Sequence, residues 1–455
     1  MYFIYTVVFV LGFLILLPRF VFDAFRHGKY VAGFKERLGA FPPIDTDRPV
    51  IWIHCVSVGE TQAARPLVDA LRAQLPQYAI AISTITLTGQ NLARQLFKDD
   101  AVRIFYFPFD LRWIVRKTIT SVNPAAVLVM ETELWPGFLR ECKIQGIPIA
   151  IVNGRLSEKS SRRYQLIESF MARVLTNVSL AIMQTEADAD RLRDLGMAPE
   201  KIFVSGNLKF DVGIADPNDY LTRSFRDRFQ LGEDIGFAPF ILAASTHAPE
   251  ERILINAIKR LVQGSHRTLR LMIAPRHPER FSEVAALIEA SGFQWSRRTA
   301  PPTHNDQQSQ IILLDSIGEL QSVYSLTSIV FVGGSFARKG GHNILEPAAN
   351  GCCVITGPHT FNFRSIVETC VNAGAIIQLR SESFAEASAE LAGTLTELLS
   401  DPARRNIFGE RARNLVNLNR GATDRTVTLL RTMLPTSTIT VGGVPSLHSL
   451  GAPVS

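Results

Sequence analysis

Short apolar runs alternate with amphipathic stretches along most of the chain after about residue 50. Continuous apolar runs separated by helical segments are typical of parallel strands that are covered on both faces. The runs lie at residues 50–56, 79–84, 102–109, 125–131, 148–154, 180–185 and 202–207, and then at 240–246, 269–276, 310–315, 328–334, 352–357 and 375–379. The pattern predicts an α/β fold with two doubly wound, Rossmann-like parallel sheets in tandem.

The alternation stops at residues 209–238, a polar stretch that contains Pro217, Gly232 and Gly236. A chain of 455 residues also exceeds the usual size of a single core. We therefore predict a first domain at 26–208, a linker at 209–238, a second domain at 239–434 and a loose tail at 435–455. Two doubly wound domains that face each other enclose a cleft lined by the loops that follow the strands.

Residues 1–17 carry no charge, and five Lys or Arg against two Asp or Glu follow between Arg19 and Arg37. Seventeen apolar residues are at the short end of the range that spans a bilayer. No basic residue precedes the run and no cleavage motif ends it, which disfavours a removed signal peptide. We predict a single-pass anchor at 1–25 that keeps the following domains in the cytoplasm. The alternative is a buried core helix.

The formal charge of +6 suits an anionic ligand or an anionic membrane face without indicating nucleic acid. The five cysteines have no CxxC spacing, and we expect free thiols of a reducing compartment. Asp188 and Asp190 form a DxD pattern, but they fall in a stretch with helical charge spacing. We interpret them as a solvated helix face and predict no catalytic metal and no cofactor, because the histidines form no ligand pair either.

The densest motif covers residues 331–349, where a buried strand runs into glycines and then into a helix expected at 342–350. Glycines let backbone N–H groups approach an anion, and a helix N-terminus adds positive dipole. Glu346 is placed to accept both hydroxyls of a ribose. The candidate phosphate-binding glycines are Gly333, Gly334, Gly340 and Gly341. The alternative is a tight turn with a capping carboxylate.

Two further strand ends in the second domain carry polar side chains. Arg276 and His277 follow one strand, and an arginine there can pair a phosphate or carboxylate through two hydrogen bonds. Ser245 and Thr246 end another strand and could contact a ligand or cap the next helix. For Arg276 and His277 the alternative is an ordinary surface helix start.

Four strand ends in the first domain show the same arrangement of hydroxyl, amide, carboxylate and guanidinium groups. The candidates are Ser57, Gly59 and Glu60, then Thr84, Thr86 and Gly89, then Glu131 and Glu133, and finally Asn153 and Arg155. Each group alone is explained by helix capping. Their recurrence at one edge of a parallel sheet predicts a site that binds a polyol.

The ordered motifs of the chain resemble those of the bacterial 3-deoxy-D-manno-octulosonic acid (Kdo) transferases, which have the GT-B fold. The matching stretches include KERLG at 35–39, WIHCVSVGE at 52–60, ETELWP at 131–136, APRHPERF at 274–281 and FVGGSFARKGGHNILEPAA at 331–349. The similarity extends from the N-terminal segment to about residue 420. The stretch 336–339 has no substrate preference that we can assign, and the tail lies outside the similarity.

The resemblance implies an inverting transferase at the inner membrane that uses CMP-Kdo as donor and tetraacylated lipid A precursor as acceptor. It implies that Glu36 is the general base. Without the resemblance, the charged neighbours of Glu36 would indicate an ordinary charged loop. It also implies that Asn343 and Glu346 hold the phosphate and ribose, that Arg276 lies near the nucleotide, and that Lys209 lies in the cleft. The first domain would then bind the acceptor and the second the donor.

Two other classes remain open from the sequence. A nucleotide-sugar 2-epimerase shares the two-domain fold and a glutamate on the nucleotide-binding helix, although such enzymes lack a membrane segment. A non-catalytic nucleotide- or lipid-binding protein could use the same fold, because fold does not determine function.

Overall fold

A computed structural model describes residues 1–27, 33–232, 240–264, 266 and 268–434, with the side chains of residues 16–27 outside the description. The described residues divide into two compact units, one formed by residues up to 206 together with 423–434 and the other by residues 207–422. The predicted tail, the end of the predicted linker at 233–238 and residue 239 lie outside the described residues.

The first unit is built on a seven-stranded parallel sheet in the order β3-β2-β1-β4-β5-β6-β7. Its strands are β1 (Val50–Cys55), β2 (Ala79–Thr84), β3 (Arg103–Tyr106), β4 (Pro124–Met130), β5 (Ile149–Gly154), β6 (Leu180–Met183) and β7 (Ile202–Val204). Its helices are α1 (Tyr2–His27), α2 (Phe34–Arg37), α3 (Val58–Gln74), α4 (Leu87–Leu96), α5 (Arg112–Val122), α6 (Pro136–Ile144), α7 (Glu158–Gln165), α8 (Glu168–Leu175) and α9 (Glu186–Asp194). The strand order reverses direction next to β1, as in a doubly wound fold.

The second unit repeats this architecture with a sheet in the order β10-β11-β9-β8-β12-β13-β14, again parallel. Its strands are β8 (Phe240–Thr246), β9 (Arg270–Pro275), β10 (Trp295–Arg297), β11 (Ile311–Leu313), β12 (Ile329–Val332), β13 (Cys353–Thr356) and β14 (Ile376–Gln378). Its helices are α10 (Tyr220–Phe229), α11 (Glu250–Gln263), α12 (Phe281–Ala290), α13 (Leu320–Tyr324), α14 (Leu345–Ala349), α15 (Arg364–Asn372), α16 (Phe384–Ser400) and α17 (Pro402–Asn419). A last helix, α18 (Ala422–Arg431), joins the first unit, where Arg425 donates to the carbonyl of Ser205 at 2.6 Å.

Apolar strand residues account for both sheets. In the first unit Trp52 lies in the core with Phe105 and Phe138, at ring-centroid distances of 5.3 and 5.0 Å. In the second unit, alternate residues of β8 enter apolar clusters on opposite faces of the sheet, Ile241 on one and Leu242 on the other. The prediction of two parallel α/β sheets is confirmed. All five cysteines are free and buried, as small core residues are expected to be.

The sequence pattern missed one strand. β10 contains Trp295, Ser296 and Arg297, all half-buried, and pairs with β11 at the edge of the sheet. A three-residue edge strand of mixed polarity has no apolar run to reveal it.

The N-terminal helix does not support the predicted single-pass anchor. Among the residues that the structure describes, no helix combines the length and the apolar character needed to cross a membrane. α1 has 26 residues and includes Arg19, Asp23 and Arg26. Its uncharged part would extend only about 25 Å at the rise of an α-helix, less than the roughly 30 Å of the hydrocarbon core.

The first turns of α1 pack on the first unit through aromatic residues. The Tyr5 hydroxyl donates to Asp110 at 2.7 Å, and Asn177 donates to the Tyr2 hydroxyl at 2.8 Å. Phe13 meets Phe109 edge to face at 5.3 Å between ring centroids. These contacts hold one face of residues 2–15 against the rest of the unit, and Phe3, Leu11 and Ile15 on the opposite face are exposed.

Candidate functional site

Four polar clusters meet along the edge formed by the carboxyl ends of β2, β1, β4 and β5. These strands are neighbours in the parallel sheet, so the residues that follow them share one edge. The structure thereby brings together the side chains predicted at the four strand ends of the first unit. Burial is the main cause of the raised pKa of Glu60, and the charges of Glu131 and Glu133 at the neighbouring strand end add to it.

Glu60 closes the first turn of α3. Its carboxylate accepts hydrogen bonds from the Val56 N–H at 2.7 Å and from the Ser57 hydroxyl at 2.8 Å, while Ser57 caps the helix. Burial raises the pKa of Glu60 to about 8, and the two hydrogen bonds oppose this rise. Among the described residues, a Cβ placed at Gly59 would meet the Ser57 hydroxyl at 3.9 Å, an ordinary contact distance. The packing of the protein therefore does not require a glycine at this position.

The strand end of β2 is organised by capping. Thr86 caps α4 by accepting from the Gly89 N–H at 3.0 Å, and buried Thr84 donates to Gln90 at 2.5 Å. These bonds are the ones that a helix-cap interpretation expects of Thr86 and Gly89.

Two residues on the neighbouring strand ends have left-handed backbones. Glu131 has φ of 55° and Asn153 has φ of 54°. The conformation is common for asparagine but costs roughly 1 kcal/mol or more for glutamate, and such strain concentrates at functional sites. Burial and Glu131 together raise the pKa of Glu133. Arg155 exchanges hydrogen bonds with Thr132 through its backbone at 3.0 and 2.6 Å.

Glu36 lies in the one-turn helix α2, which packs beside the end of β3. Gly33 caps α2 with φ of 72°, and a side chain at this position would overlap the Tyr106 ring at 1.8 Å. Oε2 of Glu36 accepts a hydrogen bond from the Tyr106 N–H at 2.9 Å. The Arg37 guanidinium lies 4.5 Å from the centroid of the Tyr106 ring. The half-buried carboxylate of Glu36 is therefore oriented by the backbone.

The glycine-rich loop of the second unit is organised around Glu250, a residue that sequence reasoning did not single out as part of this site. Its carboxylate accepts from the backbone N–H groups of His247 at 2.9 Å and of Gly334, Ser335 and Phe336 at 2.8 Å each. Burial raises its pKa and the N–H donors oppose this shift. A side chain at Gly333 would meet the Ser245 carbonyl oxygen at 2.6 Å and Oε2 of Glu250 at 2.7 Å, which explains the glycine.

This arrangement corrects the expected use of the loop and of its helix. The N–H groups of Gly334, Ser335 and Phe336 donate to an internal carboxylate instead of pointing to an open anion site. The helix expected at 342–350 begins only at Leu345 and has five residues, so its N-terminus is not at Gly340 and Gly341. These two glycines instead have left-handed backbones, with φ of 91° and 75°.

Glu346 lies on α14 with its carboxylate held by a neighbour. The Asn343 amide donates to Glu346 at 3.0 Å, and its own oxygen accepts from the Leu345 N–H at 3.0 Å. Burial raises the pKa of Glu346, whereas Asn343 and the positive charge of Arg276 lower it. Arg276 follows β9 with an exposed side chain, so its charge is available near Glu346.

Three histidines gather near these groups, and two of them were not foreseen. The Nε2 atoms of His247 and His342 are 2.8 Å apart with the rings stacked, and the ring of predicted residue His277 lies 5.1 Å from that of His247. Burial, aided by the neighbouring positive groups, lowers the pKa of His247 to about 4 and that of His342 to about 3. Both rings are therefore neutral at physiological pH. Their spacing in sequence, 95 residues, gave no signal.

Ser245 and Thr246 do not cap the following helix. α11 begins after Pro249 without a side-chain cap, and Oγ1 of Thr246 has no hydrogen-bond partner within the described residues. Ser245 has φ of 55°. Lys209 lies in a short turn of the second unit, where its Nζ is 6.0 Å from the Phe363 ring centroid.

The DxD pattern is only partly the solvated face that the sequence predicted. Asp190 is exposed, but Asp188 is buried and accepts from the Leu156 N–H at 2.9 Å and the Thr185 hydroxyl at 2.5 Å. Its carboxylate is thus used in joining α9 to the end of β5. Within the described part of the chain, no group of three or more His, Cys, Asp or Glu is arranged to hold a metal ion.

Comparison with known proteins shows relatives over nearly the whole chain. A family model described as 3-deoxy-D-manno-octulosonic-acid transferase (kdotransferase) matches residues 32–212. The transferase of that name from Haemophilus influenzae is 36% identical over 407 residues, covering 89% of this chain and 92% of that protein. The one from Bordetella pertussis is 34% identical, covering 88% and 90%.

A solved structure supports the fold alone. The UDP-GlcNAc 2-epimerase of Neisseria meningitidis, bound to UDP-GlcNAc, aligns with a TM-score of 0.51 over 84% of this chain and all of that one, at 15% identity. The extent and identity of the sequence matches are what decide the family. The chain belongs to the Kdo transferase family.

Proposed function

We propose that this protein transfers Kdo from CMP-Kdo to a tetraacylated lipid A precursor in lipopolysaccharide biosynthesis, with inversion at the anomeric carbon. The observation that carries the proposal is the 36% identity to a Kdo transferase across 89% of the chain. The four polar strand ends of the first unit suit the polyol head group of an acceptor, and the second unit suits a nucleotide donor.

In the proposed reaction Glu36 acts as the general base. Its carboxylate takes the proton of the acceptor hydroxyl as the oxygen attacks the anomeric carbon of Kdo. The bond from that carbon to the phosphate oxygen breaks, and CMP leaves with the electron pair. The Tyr106 N–H, 2.9 Å from Oε2 of Glu36, supports this role because it fixes the direction of the carboxylate.

In the second unit we propose that Glu346 and Asn343 hold the nucleotide, with Arg276 near its phosphate. A carboxylate oriented by an amide can accept the two hydroxyls of a ribose. Arg276 stabilises the negative charge that develops on the departing phosphate. Because the leaving group is a nucleoside monophosphate, we propose that this stabilisation needs no metal ion. Neutral His247 and His342 use one N–H in the hydrogen bond between their Nε2 atoms, which leaves one N–H donor and one acceptor nitrogen at their Nδ1 atoms.

We further propose that the protein works at the inner-membrane surface through the free face of α1. The side chains of Phe3, Ile4, Leu11, Leu14 and Ile15 are each more than half exposed. Contiguous apolar surface of this kind fits a helix that lies in the interface, and the basic residues after Leu17 favour anionic lipid. Replacing Phe3, Leu11 and Ile15 by serine should release the protein from anionic vesicles in flotation, whereas serine at exposed Leu418 in the second unit should not.

Mass spectrometry of the lipid A precursor after incubation with purified protein and CMP-Kdo tests the proposal. We expect the acceptor mass to rise by whole Kdo residues with release of CMP. An unchanged acceptor under conditions where CMP-Kdo binds would overturn the proposal. Epimerised sugar formed from a UDP-sugar without acceptor would point to the 2-epimerase class instead.

A further inference from the structure

α1 and the segment after β3 line an open apolar cavity of about 380 Å³ within the first unit. The side formed by α1 contributes Val8, Phe9, Gly12 and Phe13, and the facing side contributes Phe107, Pro108 and Phe109. Ile85 and Trp135 complete most of the lining. The cavity therefore exists only because α1 is docked on the unit.

The two charged residues at the cavity already have hydrogen-bond partners within the protein. Asp110 accepts from the Tyr5 hydroxyl at 2.7 Å and from the N–H groups of Gly137 and Phe138 at 2.8 and 2.6 Å. The Arg37 guanidinium donates to the carbonyl of Ile85 and lies over the Tyr106 ring. The remaining lining offers mainly C–H surface, so hydrocarbon is the guest that it fits.

The cavity borders the element that carries Glu36. Arg37, the next residue, lines the cavity, and its carbonyl accepts from the Phe109 N–H at 3.0 Å. Tyr106, whose N–H binds Glu36, directly precedes Phe107 of the lining. If the hydroxyl of a molecule lies at Glu36, an apolar part of the same molecule therefore has the cavity next to it. On the other side, Val8 is 62% exposed, so the cavity borders the free apolar face of α1.

We propose that this cavity binds one acyl chain of the lipid acceptor and thereby positions the acceptor hydroxyl at Glu36. The inference rests on the proposed function, and it commits to the acceptor over bulk phospholipid because the cavity borders α2. The enzyme then discriminates between acceptors by the length of this acyl chain. Burial of the chain contributes to acceptor affinity in proportion to the number of methylene groups that the cavity holds.

Gly12 provides the test. Gly12 lines the cavity, and a Cβ placed there meets no atom within 4 Å, so the side chain of Gly12→Leu starts in open space. Gly393, exposed on α16 of the second unit and also without atoms within 4 Å, gives the matched control Gly393→Leu. Gly12→Ala, which adds one methyl group, gives an intermediate step in the same series.

The first measurement is binding, without catalysis. Bromine on the acyl chains of a synthetic phosphorylated glucosamine disaccharide should quench Trp135 fluorescence, isolated by subtracting the signal of Trp135→Phe. We expect quenching in the wild type and in Gly393→Leu, a weaker effect in Gly12→Ala, and its loss in Gly12→Leu. Equal quenching by brominated phospholipid at the same mole fraction would assign the cavity to bulk lipid and overturn the proposal.

The second measurement is transfer to acceptors with dodecanoyl or butanoyl chains. Each buried methylene is worth about fourfold in affinity, so Gly12→Leu should lower kcat/KM for the long-chain acceptor by about tenfold or more and leave the short-chain value unchanged. Equal values for all variants would overturn the inference while the transferase proposal stands. If the wild type shows quenching but transfers Kdo to neither acceptor, the transferase proposal is contradicted instead.

Discussion

The hydroxyl of Tyr5 donates a 2.7 Å hydrogen bond to the carboxylate of Asp110, 105 residues away in sequence. The same carboxylate accepts from the N–H groups of Gly137 and Phe138 at the start of α6. One buried acidic group thus links α1 to the body of the first unit. Burial raises the pKa of Tyr5, and the neighbouring Asp110 adds to that rise.

Tyr5→Phe removes this hydrogen bond and keeps the ring. A hydrogen bond to a charged group contributes about 1.5–3 kcal/mol, and we expect the docking of α1 to weaken by this amount. Proteolysis within residues 1–15 should become faster while the rest of the unit stays protected. Tyr220→Phe, at a ring that is 73% exposed in the second unit, serves as control and should leave the cleavage rate unchanged.

Glu36→Gln should reduce the transfer rate by about 10²-fold to 10⁴-fold, the usual contribution of a general base. The glutamine oxygen can still accept from the Tyr106 N–H, so the change removes basicity and retains the local hydrogen bond. CMP-Kdo affinity, measured by calorimetry, should stay the same. The exposed Glu200→Gln is the matched control. Turnover close to wild type would exclude Glu36 as the base.

Sequence patterns predicted both sheets because their strands are buried apolar runs. A continuous apolar run such as 50–55 indicates a strand that is buried on both faces of the sheet. They could not identify Glu250 as the centre of the glycine-rich loop, since its partners Gly334, Ser335 and Phe336 follow more than 80 residues later. The length of helix α14 was overestimated, because glycines that precede an apolar stretch resemble the start of a helix.

The N-terminal segment shows the same limit in another form. Its composition indicated an anchor, but composition cannot reveal that Tyr2 and Tyr5 hydrogen-bond to Asn177 and Asp110. A helix with such polar contacts has one face committed to the protein. Residues 2–17 of α1 are uncharged on every face. The face that docks is therefore determined by its partners on the rest of the unit and cannot be identified from the sequence of the helix.

Glu250→Ala should destabilise the second unit by about 3–5 kcal/mol, because removing one partner leaves several buried N–H groups unsatisfied, each costing about 1–3 kcal/mol. Glu250→Gln should be milder but still destabilising, since its NH₂ group would face donors. Chemical denaturation with hydrogen exchange at β12 measures both. Glu289→Ala, on the exposed side of α12, is the comparison. Little or no loss in Glu250→Ala would mean that the loop does not depend on this carboxylate.

Chelation should leave transfer unaffected, because the carboxylate of Asp188 is engaged by the Leu156 N–H and the Thr185 hydroxyl. Asp190→Asn should likewise retain activity, since this exposed residue pairs with Arg193 on its own helix. The release of CMP is measured with and without EDTA after dialysis. Activity that disappears with EDTA and returns with added Mg²⁺ would contradict the metal-free mechanism.

Glu60 should make the first unit less stable as pH rises. Burial raises its pKa from 4.5 to about 8, so between these values the folded state holds a proton that the unfolded state has lost. The stabilisation is complete below pH 4.5 and is lost progressively as pH rises through 8, by at most about 1.4 kcal/mol per pH unit.

Glu60→Gln carries no titratable proton and imitates the protonated form. The stability of Glu60→Gln relative to the wild type should therefore increase across this pH window and level off above it. Hydrogen exchange at the amides of β1 and α3 reports the first unit separately from the second, and Glu200→Gln should show no such trend. A difference between Glu60→Gln and the wild type that stays constant with pH would mean that Glu60 is ionised throughout, with Val56 and Ser57 compensating fully for its burial.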